Sequence, residues 1–185
     1  MIMGRNATRR EESRDKILAS AGRGFRSQGY HGIGVDGLAK AAGLTSGAFY
    51  AHFKSKAEAF HAAIACGLAE LAAGVRGLRG SGPDWRRRFV EFYLGDRRTV
   101  DLADSCALQS LTGDVARADG QARETFEAGL REVVEAMASD LQGGRQEALA
   151  LLALLVGGVS IARAVEDPDF AAEIAAAVGK AADCI

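Results

Sequence analysis

The stretch Val35-Asp36-Gly37-Leu38-Ala39-Lys40-Ala41-Ala42-Gly43-Leu44-Thr45-Ser46-Gly47-Ala48-Phe49-Tyr50-Ala51-His52-Phe53 reads as two short helices, about 35–42 and 46–52, interrupted at Gly43. Ala39 is small where two helices crossing steeply need close backbone approach, and Gly43 suits the positive φ of a tight turn. Leu38, Ala42, Leu44, Phe49 and Phe53 form an apolar wedge that sets the crossing angle, and Thr45 is a good N-cap for the second helix. The pattern is a helix-turn-helix. Its second helix presents Ser46, Gly47, Ala48, Tyr50, Ala51 and His52 away from the core, short or hydrogen-bonding groups suited to a DNA major groove about 12 Å wide. Lys54 and Lys56 follow, beside a helix start whose free N–H groups also favour a phosphate. An ordinary helical hairpin with an exposed second helix is the alternative reading.

Outward from this stretch the chain is helical throughout. Ile17, Ala21 and Phe25 lie four apart within a helix expected over about 9–28, with Gly29 placed to end it. On the other side, Ser55 and Glu58 form a capping box: the hydroxyl takes the Glu58 N–H and the carboxylate returns to the cap's own N–H. A connector helix of about 56–79 follows, with Phe60, Ile64, Leu68, Leu71, Val75 and Leu78 on one face until Gly80-Ser81-Gly82. Pro83 then opens a helix bearing Trp85, Phe89, Phe92 and Tyr93, and further helices are expected at about 104–117, 120–142, 145–165 and 168–182. Asp167 and Pro168 are the N-cap and first residue of the last. The spacing predicts an all-α fold of about nine helices.

Charge divides the chain. Residues 1–60 hold ten Lys/Arg against five Asp/Glu, and residues 61–185 hold thirteen against nineteen. A basic head on an acidic body points to polyanion binding at the head alone. Cys66, Cys106 and Cys184 are odd in number with no CxxC spacing, which argues for reduced thiols in a cytoplasm and against a disulfide framework or zinc. His31, His52 and His61 fall in separate segments with no ligand partner at metal-binding spacing, so no metal or cofactor is expected. The apolar run Ala148–Ala162 is shorter than the roughly 20 residues of a membrane span and reads as a buried helix. No nucleophile–base pair or phosphate-cradling glycine loop appears, which argues against an enzyme.

Gly29-Tyr30, Val35–Ala39, Ala42–Thr45 and Phe49–Lys56 closely resemble the N-terminal domain of TetR-family regulators, in order and densely over about residues 9–65. The resemblance implies that Ser46, Gly47, Ala48 and His52 face base edges, and that Thr45, Tyr50 and Lys56 contact phosphates. It also implies that Arg5, Arg9, Arg10 and Arg14 form an arm near the minor groove or backbone. Ile33-Gly34 departs from the family, which often carries Ser or Thr there, so a side-chain phosphate contact is missing at that point.

The domains expected are a helix-turn-helix DNA-binding domain over 1–55, with an arm at 1–8, and a ligand-binding and dimerisation domain over 56–185. The helix at 145–165 is apolar nearly all round, and Gly157, Gly158 and Ser160 allow close helix approach. Leu151, Leu152, Leu155 and Val159, with Phe170, Ile174 and Val178 of the last helix, are expected to form a homodimer interface; burial in a monomeric core is the alternative. The resemblance further implies a pocket for a small-molecule effector, for which Trp85, Phe89, Phe92, Tyr93, Cys106, Gln109 and Phe126 are candidate lining residues. Cys106, near a helix start, is also a candidate thiol sensor. These readings converge on a dimeric regulator, most simply a repressor released from palindromic operator DNA by its effector. A thiol-based sensor and an architectural DNA-binding protein without a ligand are the alternatives.

Overall fold

A computed structural model describes the backbone of residues 3–185 and the side chains of residues 11–95 and 97–185. Among the described residues all regular structure is helical. The order is α1 (Met3–Gly32), α2 (Val35–Ala41), α3 (Ser46–Tyr50), α4 (Lys56–Gly80), α5 (Trp85–Leu94), α6 (Asp96–Thr99), a 3-10 turn (Leu102–Asp104), α7 (Ala107–Ala116), α8 (Gly120–Ala138), α9 (Gly144–Ala164) and α10 (Pro168–Ala182). The nine expected helices are there, and the four-residue α6 is additional.

Several boundaries differ from expectation. α5 starts at Trp85 with Asp84 at its N-cap, so Pro83 lies in the turn before this helix rather than opening it. α1 is helical from Met3, so the part of the supposed arm that is described continues the helix; no proline interrupts it. The side chains of Arg5, Arg9 and Arg10 lie outside the described residues. α7 starts at Ala107 rather than near 104, because the Asp101 carboxylate accepts the Ala103 N–H at 2.8 Å and winds residues 102–104 into the 3-10 turn. α8 stops at Ala138, and Asp140 beyond it is held by Arg79 at the end of α4.

α1, α2 and α3 pack around Ile17, Ala21, Phe25, Leu38, Phe49 and Phe53, each at most 1% exposed. The buried Ser20 hydroxyl donates to the Leu38 carbonyl at 3.1 Å and ties α1 to α2. The α4 side chain Phe60 completes this cluster, meeting Phe25 edge-on at 5.1 Å and Tyr30 at 4.8 Å. Farther along α4, Leu68 and Val75 enter a second part of the core with α7, α8 and α9. α4 therefore belongs to both ends of the molecule, as its unbroken apolar face suggested. Both α4 and α9 are long and apolar enough to cross a bilayer by length and composition. That revises the estimate for Ala148–Ala162, since the formed helix has 21 residues. Both helices carry core residues on their inner faces.

The expected dimer residues are mostly turned inward. Leu151, Leu152, Leu155 and Val159 are 0–3% exposed within the single chain, where α9 packs on α7, α8 and α10. Val178 lies against Gly158, where an added Cβ would come within 2.5 Å of Val178 Cγ2, so it serves the α9–α10 contact. Of the seven, Phe170 is exposed and Ile174 and Val178 are partly so. The sequence showed that α9 is apolar all round, but not which face its own chain would cover.

Asp119 and Asp140 fasten α8 at its two ends. Asp119 accepts the Ala122 N–H at 2.7 Å and meets His61 Nε2 at 3.1 Å; Asp140 takes two hydrogen bonds of 2.7 Å from Arg79. The Ala122 N–H first, then His61, holds the Asp119 carboxyl below its usual range, and Arg79 does the same for Asp140. A carboxyl depressed in the folded state stabilises it fully above the unfolded pKa of about 4 and loses that effect as pH falls through the lower folded value. Urea midpoints measured against pH should fall on the acid side, and Asp140→Asn should lower the midpoint at neutral pH but not in strong acid. Leu155→Ala is expected to cost about 2–5 kcal/mol in the same unfolding experiment, because it empties a fully buried site.

Candidate functional site

The site begins at the turn between α2 and α3. Gly43 has φ 70, and the Leu44 N–H returns to the Ala39 carbonyl at 2.9 Å, closing the turn over the small residue. Thr45 is the N-cap of α3, its hydroxyl oxygen accepting the Ala48 N–H at 3.2 Å. Phe49 and Phe53 point inward. α3 itself has five residues, and helical hydrogen bonding continues through Ala51 to Phe53 at the end expected near residue 52. Thr45, Gly47, Tyr50 and Ala51 are exposed, and Ser46, Ala48 and His52 are partly exposed. Tyr50, at 57%, presents a large ring to solvent beside the short side chains.

Several flanking groups are engaged within the chain. The Ser46 hydroxyl donates to the Asp36 carboxylate, since the first turn of α2 faces the start of α3. Lys54 is exposed, whereas the Lys56 ammonium sits 4.6 Å from the centre of the Tyr30 ring in a cation–π contact. Arg14 lies similarly over Phe53 at 5.4 Å. Ser55 caps α4 by accepting the Glu58 N–H at 3.1 Å, but the Glu58 carboxylate returns to the Lys54 N–H at 2.6 Å rather than to that of Ser55. At the atypical start of α2, Ile33 is buried and Gly34 is an N-cap with no side-chain bond.

α1 also reaches the rest of the chain. Arg23 pairs with Asp104, the Arg26 Nε–H donates to the Ala103 carbonyl at 2.7 Å, and the Tyr30 N–H donates to Asp114 at 2.9 Å. The last bond needs the bend at Gly29, whose φ of 75 ends the straight part of α1. Thus the helix that backs the helix-turn-helix is bonded at three points to the segment 103–114.

That segment is one wall of a cavity of about 690 Å³, within the usual range for small-molecule sites. α4 supplies Glu70, Leu71, Gly74 and Leu78; α5 supplies Arg88, Phe89, Phe92 and Tyr93; Arg97 and residues 104–107 close it, and Arg26 enters from α1. Of the seven expected lining residues, Phe89, Phe92, Tyr93 and Cys106 are brought together there. Trp85, one turn earlier on α5, is buried away from it. Gln109 is turned to the Ser110 hydroxyl, and Phe126 packs on the core from α8, which covers another face of α4. Cys106 is 9% exposed and is the N-cap residue of α7. The charged lining residues were not anticipated. Glu70 shares a helical face with Leu71, Gly74 and Leu78, a legible signal; Arg26, from a remote helix, carried none.

Among the described residues the Tyr93 hydroxyl, buried in this wall beside the Cys106 thiol, makes no well-formed hydrogen bond. Burial, and after it the neighbouring Cys106, pushes its phenol well above the ordinary value, so it remains a protonated donor. Burial works against the Arg26 charge, which Glu70 supports and Arg23 and Arg97 oppose. Among the described residues no three His, Cys, Asp or Glu gather as a metal site.

Residues 17–63 match the family described as bacterial regulatory proteins, tetR family. This match makes residues 17–63 a TetR-type domain. The match is to DNA-binding regulators rather than to enzymes, and it spans the helix-turn-helix with its supporting helix and the start of α4. Over 83 residues the chain is 35% identical to the HTH-type transcriptional activator FasR of Mycolicibacterium smegmatis, covering 45% of this chain and 38% of that protein. The chain thus spans well under half the length of that relative. The reduced form of E. coli NemR superposes with a TM-score of 0.74 at 22% identity, over 90% of this chain and 95% of that one. A TetR-family regulator from Agrobacterium tumefaciens gives 0.77 at 18% identity, over 92% and 97%. At such identities the likeness is one of fold, and it extends over about nine-tenths of the all-α chain.

The turn makes two stability predictions for this TetR-type domain. Thr45→Ala removes the α3 cap and is expected to cost about 1 kcal/mol. Gly43→Val places a branched side chain at positive φ and is expected to cost at least as much, about 1–3 kcal/mol. Thermal and urea unfolding check both.

Proposed function

We propose that this TetR-family chain is a transcriptional repressor that binds a palindromic operator as a homodimer and leaves it when a small molecule fills the cavity. Residues 1–55 are its DNA-binding domain and residues 56–185 its ligand-binding and dimerisation domain, and it acts in the cytoplasm. The observation that carries the reading is that Arg26 both lines the cavity and, through Ala103, fastens α1 to the cavity wall. A ligand that moves residues 103–107 must move α1, and with it the orientation of α3. Two ligand-dependent head positions with different DNA affinity constitute allosteric release.

DNA contact rests on the exposed face of α3. Tyr50, Lys54 and the Thr45 region meet phosphates, and Ser46, Gly47, Ala48 and His52 face bases. Lys56 reaches a phosphate by leaving the Tyr30 ring, and Ser46 reaches a base by leaving Asp36. Arg9 and Arg10 add charge at the start of α1. One such helix reads few base pairs, so two copies related by a two-fold axis are required. The outward face of α9 and α10 supports the pairing: Leu149, Ile161 and Phe170 are 42%, 57% and 49% exposed, with Ala153 and Gly157 between the first two at helical spacing. Unpaired, this apolar stripe faces water.

Activation in place of repression is a second reading, favoured by the similarity to the transcriptional activator FasR; it uses the same contacts and differs in where the operator lies. A thiol-responsive form of the same switch is favoured by Cys106 in the cavity wall, and Cys106→Ser should then abolish oxidant-induced release.

Fluorescence anisotropy at physiological salt should show promoter DNA bound on the order of a thousandfold more tightly than random DNA. Near-equal affinities would instead indicate an architectural protein. Tyr50→Ala and Lys54→Ala should weaken binding to all sequences, while Ser46→Ala and His52→Ala should change which sequence is preferred. Ile161→Glu with Phe170→Glu should yield monomers in sedimentation and weaken operator binding.

A further inference from the structure

The cavity has an uneven distribution of charge that bears on what fills it. Three guanidinium groups, those of Arg26, Arg88 and Arg97, line it against two carboxylates, Glu70 and Asp104. Asp104 is already paired with Arg23, whose side chain is not part of the lining. Among the described residues, neither Arg26 nor Arg97 has a carboxylate within ion-pairing distance. Arg26 instead donates to the Ala103 carbonyl, and Arg97 donates to the Asp104 carbonyl at 2.7 Å while stacking on Phe92 at 5.0 Å. Backbone carbonyls carry no counter-charge, and among the described residues Glu70 offsets the Arg26 charge only in part, against burial, Arg23 and Arg97.

The Tyr93 hydroxyl lies in the same wall, in a residue 1% exposed; among the described residues it makes no well-formed hydrogen bond and has only the weakly bonding Cys106 thiol beside it. A buried hydroxyl without a hydrogen bond costs free energy that an acceptor entering the cavity would recover. Apart from Ser105 and Cys106, the rest of the lining is apolar, with Leu71, Val75 and Leu78 on one side and Phe89 and Phe92 on the other. Gly74 widens the space between, since a Cβ there would meet nothing within 4 Å.

We propose that the cavity binds an organic carboxylate, its acid group held by Arg26, Arg97 and the Tyr93 hydroxyl and its apolar chain or ring laid between α4 and α5. This deepens the effector reading above and rests on it. A planar carboxylate accepts the forked donors of a guanidinium in pairs and takes the phenolic O–H on a remaining lone pair. A single negative charge suits a wall that retains Glu70. A cation would face the arginines, and a neutral apolar molecule would leave the Tyr93 hydroxyl without a well-formed hydrogen bond.

Isothermal titration of the full chain without DNA tests the assignment, with decanoate, decan-1-ol and decylammonium as probes. Decanoate should bind on the order of tenfold or more tightly than decan-1-ol, the value of charge-assisted hydrogen bonds, and decylammonium should bind most weakly. Arg97→Gln and Tyr93→Phe should each weaken decanoate severalfold and leave decan-1-ol unchanged. Arg26→Gln should do the same, but it also removes the bond to Ala103, so the first two variants carry the test if that protein unfolds. Equal affinity for the three probes, preference for decylammonium, or no measurable decanoate binding at millimolar concentration overturns the proposal. Release from operator DNA is read separately by anisotropy. Decanoate that binds without releasing DNA leaves the ligand class standing and removes the effector role, whereas release by the alcohol with no preference for the acid overturns the ligand class and leaves the regulator.

Discussion

The contacts between α1 and residues 103–114 tie the helix that backs the helix-turn-helix to the cavity wall. Arg23, Arg26 and the Tyr30 N–H each leave the helix that backs the helix-turn-helix and end on Asp104, the Ala103 carbonyl and Asp114. Two of these partners flank or line the cavity, so the α1 position and the cavity wall are set together. The bend at Gly29 is what lets the chain turn its backbone N–H toward Asp114. Such bonds are directional, and a shift of an ångström in their acceptors weakens them steeply.

α4 supports the same link by packing. Phe60 belongs to the cluster around Phe25, while Leu68 and Val75 belong to the core with α7 to α9. Between them the face toward the cavity carries Glu70 and Gly74, which do not fill it. The result is a rigid helix with an opening along one side, backed by α8 on another. A polar, positively charged opening inside an otherwise apolar body has an evident energetic cost, and the Tyr93 hydroxyl, without a well-formed hydrogen bond among the described residues, adds to it.

Local chemistry was readable, and interactions between distant segments were not. Thr45 as N-cap, Gly43 at positive φ, Phe49 and Phe53 as the wedge, Gly29 as the end of straight helix and Asp167 as the last N-cap each depend on residues within a few positions of one another. The Glu58 carboxylate was placed one residue off, because the N–H groups of Lys54 and Ser55 are both within its reach and their relative orientation is set by the incoming turn. Lys56 on Tyr30 and Ser46 on Asp36 escaped the reading for a related reason: each pairs a residue of the site with one from a helix whose approach the sequence leaves open.

The sequence by itself determined an all-α chain with a helix-turn-helix near its start, because capping, turn and 3.6-residue periodicity act over a few residues and a chain carries them wherever it folds. Tertiary structure alone decided which side of α9 is covered. Leu151 and Leu155 face inward and Leu149 and Ile161 outward, a choice made by the positions of α7, α8 and α10 around a helix apolar on every face. It also decided that Arg26, from the first helix, lines a cavity built mainly from α4, α5 and the turn before α7. A side chain's charge and length are written at its own position, but the partner it meets depends on the path of the whole chain.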